Sequence, residues 1–454
     1  MLESPLRIVG RFPRPVRLLL VGTLVNKLGT FIIPYLTLVL LRDFHMREGE
    51  AARLLFAFGF GSVVSILAGG VITDRFGRRR TLLVSLFGSG VLAVAMAFVP
   101  STAAFVPLLI LFGFIADLYR PAASAMIGDL LPSSDRASGF AGLRMAVNLG
   151  WAAGTALGGL LADWDWRLLF LGDGLTTLAY GVLVYLTIPE TRPAGDSPAS
   201  SPAPLATPDP EGSARPSVPA PVPQAGRGRD SRNPLRDGVF LAVTFTGLLF
   251  TMIFCSHLTV LPLTVTRSAG YPAVVFGLLA ALNGLLVAFF EISITDRLKR
   301  FRRLRLAALG CFLSALGFGM IGLAMHWAWF VLAAFVYTAG EILASPQQMA
   351  FIADWAPPEA RGRYLSLYQA TWSIAFAVNP LLALPLHAAL GERLFWGLMP
   401  LVALPGTLVL LHLDRTADRP ERLRGVWGGA MPTQRGNAGS VESPSEGPRA
   451  STPA

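Results

Sequence analysis

Lys27, Asp117, Arg120, His257 and Glu341 each stand inside an otherwise apolar stretch of the chain. Carrying a charge into hydrocarbon costs a few kcal/mol even on lenient insertion scales, so such residues are read first as functional. Asp117 and Arg120 are spaced i, i+3, which puts them on one helix face where they can pair. Lys27, beside Asn26 near the middle of its run, offers Asp117 a second partner, whereas Glu341 has no basic residue in its own run. Carboxyl groups held in a poorly hydrated cavity are suited to taking up and releasing a proton. Glu341, Asp117 or both are therefore expected to carry one; the competing expectation is a fixed polar cluster. His257 belongs to the residue type that titrates near neutral pH, but one histidine on an apolar helix is more often packed than used. Glu291 is expected to meet the basic loop that follows it, and Arg144 to reach the surface along its aliphatic stem.

No enzyme-like constellation competes with this set. The five histidines are scattered, and Cys255 and Cys311 sit alone in apolar runs, which suits small buried hydrophobes better than a disulfide or a metal cluster. No phosphate-cradling glycine loop is present. Neither a metal nor a cofactor is expected, and neither is transport driven directly by ATP.

The elements that position these groups follow from composition. The chain has 454 residues, 53% hydrophobic and 15% charged, with a mean hydropathy of +0.55. A soluble domain carries roughly a quarter charged residues; this one must live in a bilayer, where each helical span needs about 20 apolar residues. Twelve candidate spans are legible: 16–41, 51–72, 81–99, 104–128, 139–162, 167–188, 238–266, 271–295, 305–325, 328–353, 364–388 and 393–413. The first is a retained span, since no signal-peptide pattern precedes it. Residues 190–236 are rich in Pro, Ala and Ser and predict a flexible linker. The expected organisation is a cytosolic segment 1–15, a six-helix bundle 16–189, the linker 190–236, a second bundle 237–413 and a disordered tail 414–454.

The formal net charge is +10, but the arginines lie between spans, which argues against a nucleic-acid partner. Arg7, Arg11, Arg14, Arg17, Arg75, Arg78, Arg79 and Arg80 fall on one side of the predicted membrane, with most basic residues of 297–305, the linker and the tail. The positive-inside rule makes that side the cytosol, so both termini are expected there, in the inner (plasma) membrane. An internal repeat supports two halves. Thr73-Asp74-Arg75 recurs as Thr295-Asp296-Arg297, and Pro121, Asp129 and Arg136 recur as Pro346, Asp354 and Arg361. Paired six-span halves are a common way to build a site that opens alternately to two sides.

The segment Gly69-Gly70-Val71-Ile72-Thr73-Asp74-Arg75-Phe76-Gly77-Arg78-Arg79-Arg80 resembles the signature loop of the major facilitator superfamily. An aspartate at a helix end complements the partial positive charge of a neighbouring helix N-terminus, and Gly77 permits the tight turn. The resemblance implies a conformational latch of Asp74, Arg78 and Asp129 in the setting of Gly70, Arg75 and Gly77, with Asp296 and Arg297 as the second-half copies. Gly150, Gly154, Gly158 and Gly159 resemble the antiporter motif of the same superfamily, whose central proline is Thr155 here; Asn379-Pro380 stands at the corresponding place in the second half. Small residues four apart let helices approach closely. Span four has Leu109 where the family usually buries an arginine. Asp117, Pro121 and Asp129 with Glu341, Pro346 and Asp354 resemble a multidrug-exporter-like subgroup.

The implied fold is an all-α integral membrane protein of twelve transmembrane helices in two pseudo-symmetric six-helix bundles. In that fold spans one, four, seven and ten line the cavity, which would bring Lys27, Asp117 and Glu341 towards one another. The expected function is secondary active transport by alternating access, as proton-coupled export of hydrophobic or amphipathic small molecules by a monomer. The alternatives are a symporter or facilitator for one polar metabolite and, from another class, a membrane enzyme or receptor that does not transport. The scarcity of Asn, Gln and charge on the cavity spans favours the first.

Overall fold

Each apolar run becomes a helix because hydrocarbon leaves backbone N–H and C=O groups no partner but one another. The computed structural model describes residues 10–99, 101–132, 135–190, 233–298, 300–323, 326–357 and 360–416. Most of the expected linker and tail lie outside the described residues, as do Lys299 and the side chains of Gly70, Asp74 and Arg136. The helices are α1 (Arg14–Arg42), α2 (Glu48–Phe76), α3 (Arg78–Ala97), α4 (Thr102–Leu130), α5 (Arg136–Trp164), α6 (Trp166–Thr187), α7 (Gly238–Ser268), α8 (Ala273–Arg297), α9 (Arg303–Ile321), α10 (Trp327–Trp355), α11 (Arg361–Gly397) and α12 (Met399–Thr416). Among the described residues eleven are long and apolar enough to cross a bilayer. The twelfth ends in His412, Asp414 and Arg415, which dilute its apolarity. Gly391 (φ 72°, ψ 171°) breaks α11, so residues 392–397 run on with α12. The chain is thus a multi-pass membrane protein whose even number of spans returns it to the face on which it started.

The repeat read from the sequence reappears in the packing. In the first half α1 packs on α5 and α6, α2 on α4, and α3 on α6. In the second half α7 packs on α11 and α12, α8 on α10, and α9 on α12. The halves meet through α2 against α11 and α5 against α8, a pair of contacts that the same pseudo-two-fold relates.

Helices α1, α4 and α7 are interrupted within their spans. In α1, Gly29 ends the first segment, and Ile32–Arg42 restarts after it. In α4, Pro121 has no N–H to offer the Asp117 carbonyl, which accepts from the Arg120 N–H at 3.2 Å instead. In α7, Pro262 precedes a π-helical turn at Thr264–Ser268. By contrast α5 runs unbroken from Arg136 to Trp164, with Thr155 in place of a kinking proline. Its glycine stripe is spent on close packing. A Cβ at Gly154 would fall 2.7 Å from the Lys27 carbonyl oxygen, and one at Gly159 2.5 Å from the Val274 Cα, while Gly150 and Gly158 face Lys27 and Tyr35. On the lipid side Leu67, Leu186 and Phe289 are among many large apolar side chains left exposed.

The buried apolar residues fall into three clusters. One is shared by both halves and includes Phe31, Tyr35, Phe58, Phe105, Phe276, Phe330 and Trp396; it lies towards the face away from the termini. The other two lie towards the terminus-bearing face, one wholly in the first half and one wholly in the second.

Candidate functional site

The breaks in α1 and α4 adjoin a small cleft inside the first half, lined by Asn26, Lys27, Thr30, Asp117, Tyr119 and Asp173, with Ile33, Phe58 and Phe112 as apolar wall. Asp117, at the end of the first segment of α4, pairs with Arg120 at 2.8 Å and accepts from the Ser62 hydroxyl of α2. Of the two cations offered to it by the sequence, it takes Arg120. Lys27 instead lies over the Tyr119 ring, its ammonium 5.2 Å from the centroid. Asn26 donates to Thr177 of α6 at 2.8 Å. Asp173 of α6 accepts from the Ile32 backbone N–H, at the restart of α1, and from Thr177, both at 3.4 Å.

Asp173 is buried and is the charged lining residue that the sequence did not single out. It meets the criterion that found the others, a charge inside an apolar run, and was concealed between the glycines of Leu171-Gly172-Asp173-Gly174. Ser62 carried no signal, since one hydroxyl in an apolar helix costs little and usually bonds to its own backbone.

Glu341 stands in the second half, on the unbroken α10, in surroundings unlike those of Asp117 at its break. The Asn283 amide of α8 donates to it at 2.8 Å and to Thr338 at 3.0 Å. Among the described residues no cation lies within 4 Å of its carboxylate. Arg144 and Glu291 lie close enough for their charges to act on it. Here the structure corrects one expectation. Glu291 does not turn to the basic loop after α8 but joins Arg144 across the halves, α5 to α8, while the Arg144 side chain stays largely exposed. His257 belongs to neither group. It is 3% exposed and enclosed by the rings of Phe254, Phe276, Phe318 and Tyr337, and its Nε2 has no hydrogen-bond partner among the described residues.

On the terminus-bearing face Arg78, first residue of α3, reaches Asp129 near the end of α4 at 3.1 Å. Arg303, first residue of α9, reaches Asp354 near the end of α10 at 2.6 Å. The two pairs occupy matched positions in the halves; Asp354 was legible as a repeat of Asp129, but its partner was not. Gly77 has φ 101°, a conformation that favours glycine. The acid seen at the α3 N-terminus is Glu190, which accepts from the Arg79 N–H at 3.1 Å. The side chain of Asp74 is outside the described residues. Arg75, Asp296 and Arg297 are exposed.

The opposite face is closed by contacts between halves. Asp163, at the end of α5, accepts from the Ala273 and Val274 N–H groups at 2.8 and 3.1 Å, capping the N-terminus of α8. Tyr35 donates to the Thr155 carbonyl at 2.5 Å and packs edge-on against Phe276, while Phe58 meets Phe376 across α2 and α11. The second segment of α1 packs on α7 at the same level.

Comparison with known proteins fits this geometry. The sequence profile of the Major Facilitator Superfamily matches residues 19–351 and 343–434. A Na(+), Li(+), K(+)/H(+) antiporter from Planococcus maritimus is 27% identical over 403 residues, covering 83% of this chain and 90% of the relative. Among solved structures, a POT family transporter in complex with 5-aminolevulinic acid superposes with a TM-score of 0.73 at 16% identity, over 89% of this chain and 96% of the other. A bacterial homologue of the human lysosomal transporter Spinster, in an inward-facing and unoccupied conformation, superposes with a TM-score of 0.70 at 13% identity, over 88% and 96%.

Proposed function

The chain belongs to the major facilitator superfamily, and from that premise we propose that this membrane transporter is a proton-coupled antiporter exporting amphipathic small molecules. The observation that carries the coupling is Glu341, a carboxylate within α10 that has an amide donor and, among the described residues, no cation within 4 Å. Asp117 is already balanced by Arg120 and Asp173 is held by the Ile32 N–H and Thr177 inside the first half, so we assign to Glu341, beside the contact between the halves, the cycling between protonated and charged forms. The Arg144–Glu291 pair beside it spans the two halves, which ties the charge at Glu341 to the contact that must change when the halves rock. The shared apolar cluster and the Asp163 cap support a state closed away from the termini. With the termini cytosolic, that state is open inward. Arg78–Asp129 and Arg303–Asp354 hold each half rigid while the halves move.

A second reading is favoured by the relative that exchanges sodium, lithium or potassium for protons. In it an alkali cation replaces the organic substrate, and the coupling residue is the same. Expression in an efflux-deficient bacterium, challenged with a panel of toxic amphiphiles and with sodium or lithium salts, separates the two. Export of amphiphiles predicts resistance to several organic compounds that Glu341→Gln abolishes. Resistance confined to the salts would replace the proposal with cation exchange.

A further inference from the structure

The cleft in the first half holds a cation, Lys27, with no carboxylate within 4 Å of it among the described residues. Lys27 is 8% exposed, and its recorded ammonium contact is the face of Tyr119. Of the two acids in the cleft, Asp117 is engaged by Arg120 and Ser62 and Asp173 by the Ile32 N–H and Thr177, with Asp173 near enough for its charge to act on Lys27 but beyond 4 Å of it. A ring face gives an ammonium a fraction of what a charged hydrogen bond supplies, and an ammonium without a close counter-charge is costly to bury. An arriving carboxylate would meet the Lys27 ammonium without breaking an ion pair at contact distance. An arriving cation would have to displace Arg120 or the donors already on Asp173. Beyond Lys27 the wall is apolar, with the rings of Phe58 and Phe112 stacked 6.1 Å apart.

We propose that this cleft is a carboxylate subsite: it binds a small amphiphile with its anionic head on Lys27 and its apolar body against Phe58 and Phe112. The inference rests on the export reading and names the substrate class, amphipathic organic acids. Moving such an anion out while a proton enters runs with an inside-negative membrane potential on both counts.

The test uses the purified full-length protein and three probes with one body: 3-phenylpropionate, 3-phenylpropylamine and 3-phenylpropanol. Each is titrated against the thermal unfolding midpoint. The carboxylate is expected to stabilise saturably, with an apparent affinity about tenfold or more above the amine and the alcohol, as for a charged hydrogen bond. Lys27→Gln is expected to erase that preference and Lys27→Arg to keep it. Equal or better binding of the amine, no stabilisation by the carboxylate at millimolar concentration, or a preference that survives Lys27→Gln would each overturn the proposal. The wild-type comparison decides the matter alone if Lys27→Gln fails to fold. Because binding needs no gradient, a chain that binds phenylpropionate but moves no protons sinks the export reading and leaves the subsite standing. A chain that exchanges protons but ignores phenylpropionate does the reverse.

Discussion

At the scale of single residues, the charges within the membrane divide by how they are compensated. Asp117 has Arg120 and Ser62, Asp173 has a backbone N–H and a hydroxyl, and Glu341 has an amide alone. The first arrangement makes a thermodynamic prediction. Breaking a partly buried pair by removing one member leaves a charge unserved, whereas removing both can be close to neutral. Asp117→Asn is therefore expected to lower the unfolding midpoint more than the double change Asp117→Asn with Arg120→Gln. A double variant at least as destabilised as the single one would show that Arg120 does not depend on Asp117. The apolar-run rule that found Asp117 and Glu341 also applied to Asp173, so that residue was within reach of the sequence. The pairing of Arg144 with Glu291 was not, because they belong to different halves and no local spacing relates them.

At the scale of helices, the sequence pattern was most informative where one residue type has one physical use. Glycines four apart in α5 announced close packing, and the structure seats Gly150 and Gly154 on the backbone of α1 around Lys27. Gly154→Leu is expected to destabilise by about 1–3 kcal/mol, the usual cost of overpacking, read from the thermal unfolding midpoint; an unchanged midpoint would contradict the contact. The two arginine–aspartate pairs at the heads of α3 and α9 make a further prediction. Reversing the charges with Arg78→Asp and Asp129→Arg together is expected to recover transport that either single reversal loses. A double reversal no better than the singles would show that this contact is not a simple ion pair. What stayed hidden is the breakage of α1 and α7. Gly29 and Pro262 are both visible in the sequence, but a glycine or a proline in a membrane helix is often accommodated without a break. Only neighbours such as Asp173, which receives the Ile32 N–H, show that the interruption is used.

At the scale of the whole molecule, one apolar cluster joins the halves away from the termini, and separate clusters serve each half on the other side. That asymmetry supports a rocking molecule resting in one of its two states. Asp163 holds the closed side by capping α8 across the boundary, and the repeat supplies no copy of it, since the matching position in α11 is Ala388. Asp163→Asn is expected to loosen that face. A cysteine at Thr37, which lines the gap between the halves there, should react several-fold faster with an impermeant maleimide added on the side away from the termini; an unchanged rate would show that the cap is not a gate.

The coupling of protons to transport is the central claim, and inside-out membrane vesicles test it most directly. A pH gradient, acid inside, is imposed, and uptake of a fluorescent amphipathic acid is followed together with proton efflux. Wild-type vesicles are predicted to couple the two, Glu341→Gln to lose both, and Glu341→Asp to retain part of each. Gradient-driven uptake that persists when Glu341 and Asp117 are both neutralised would contradict the account.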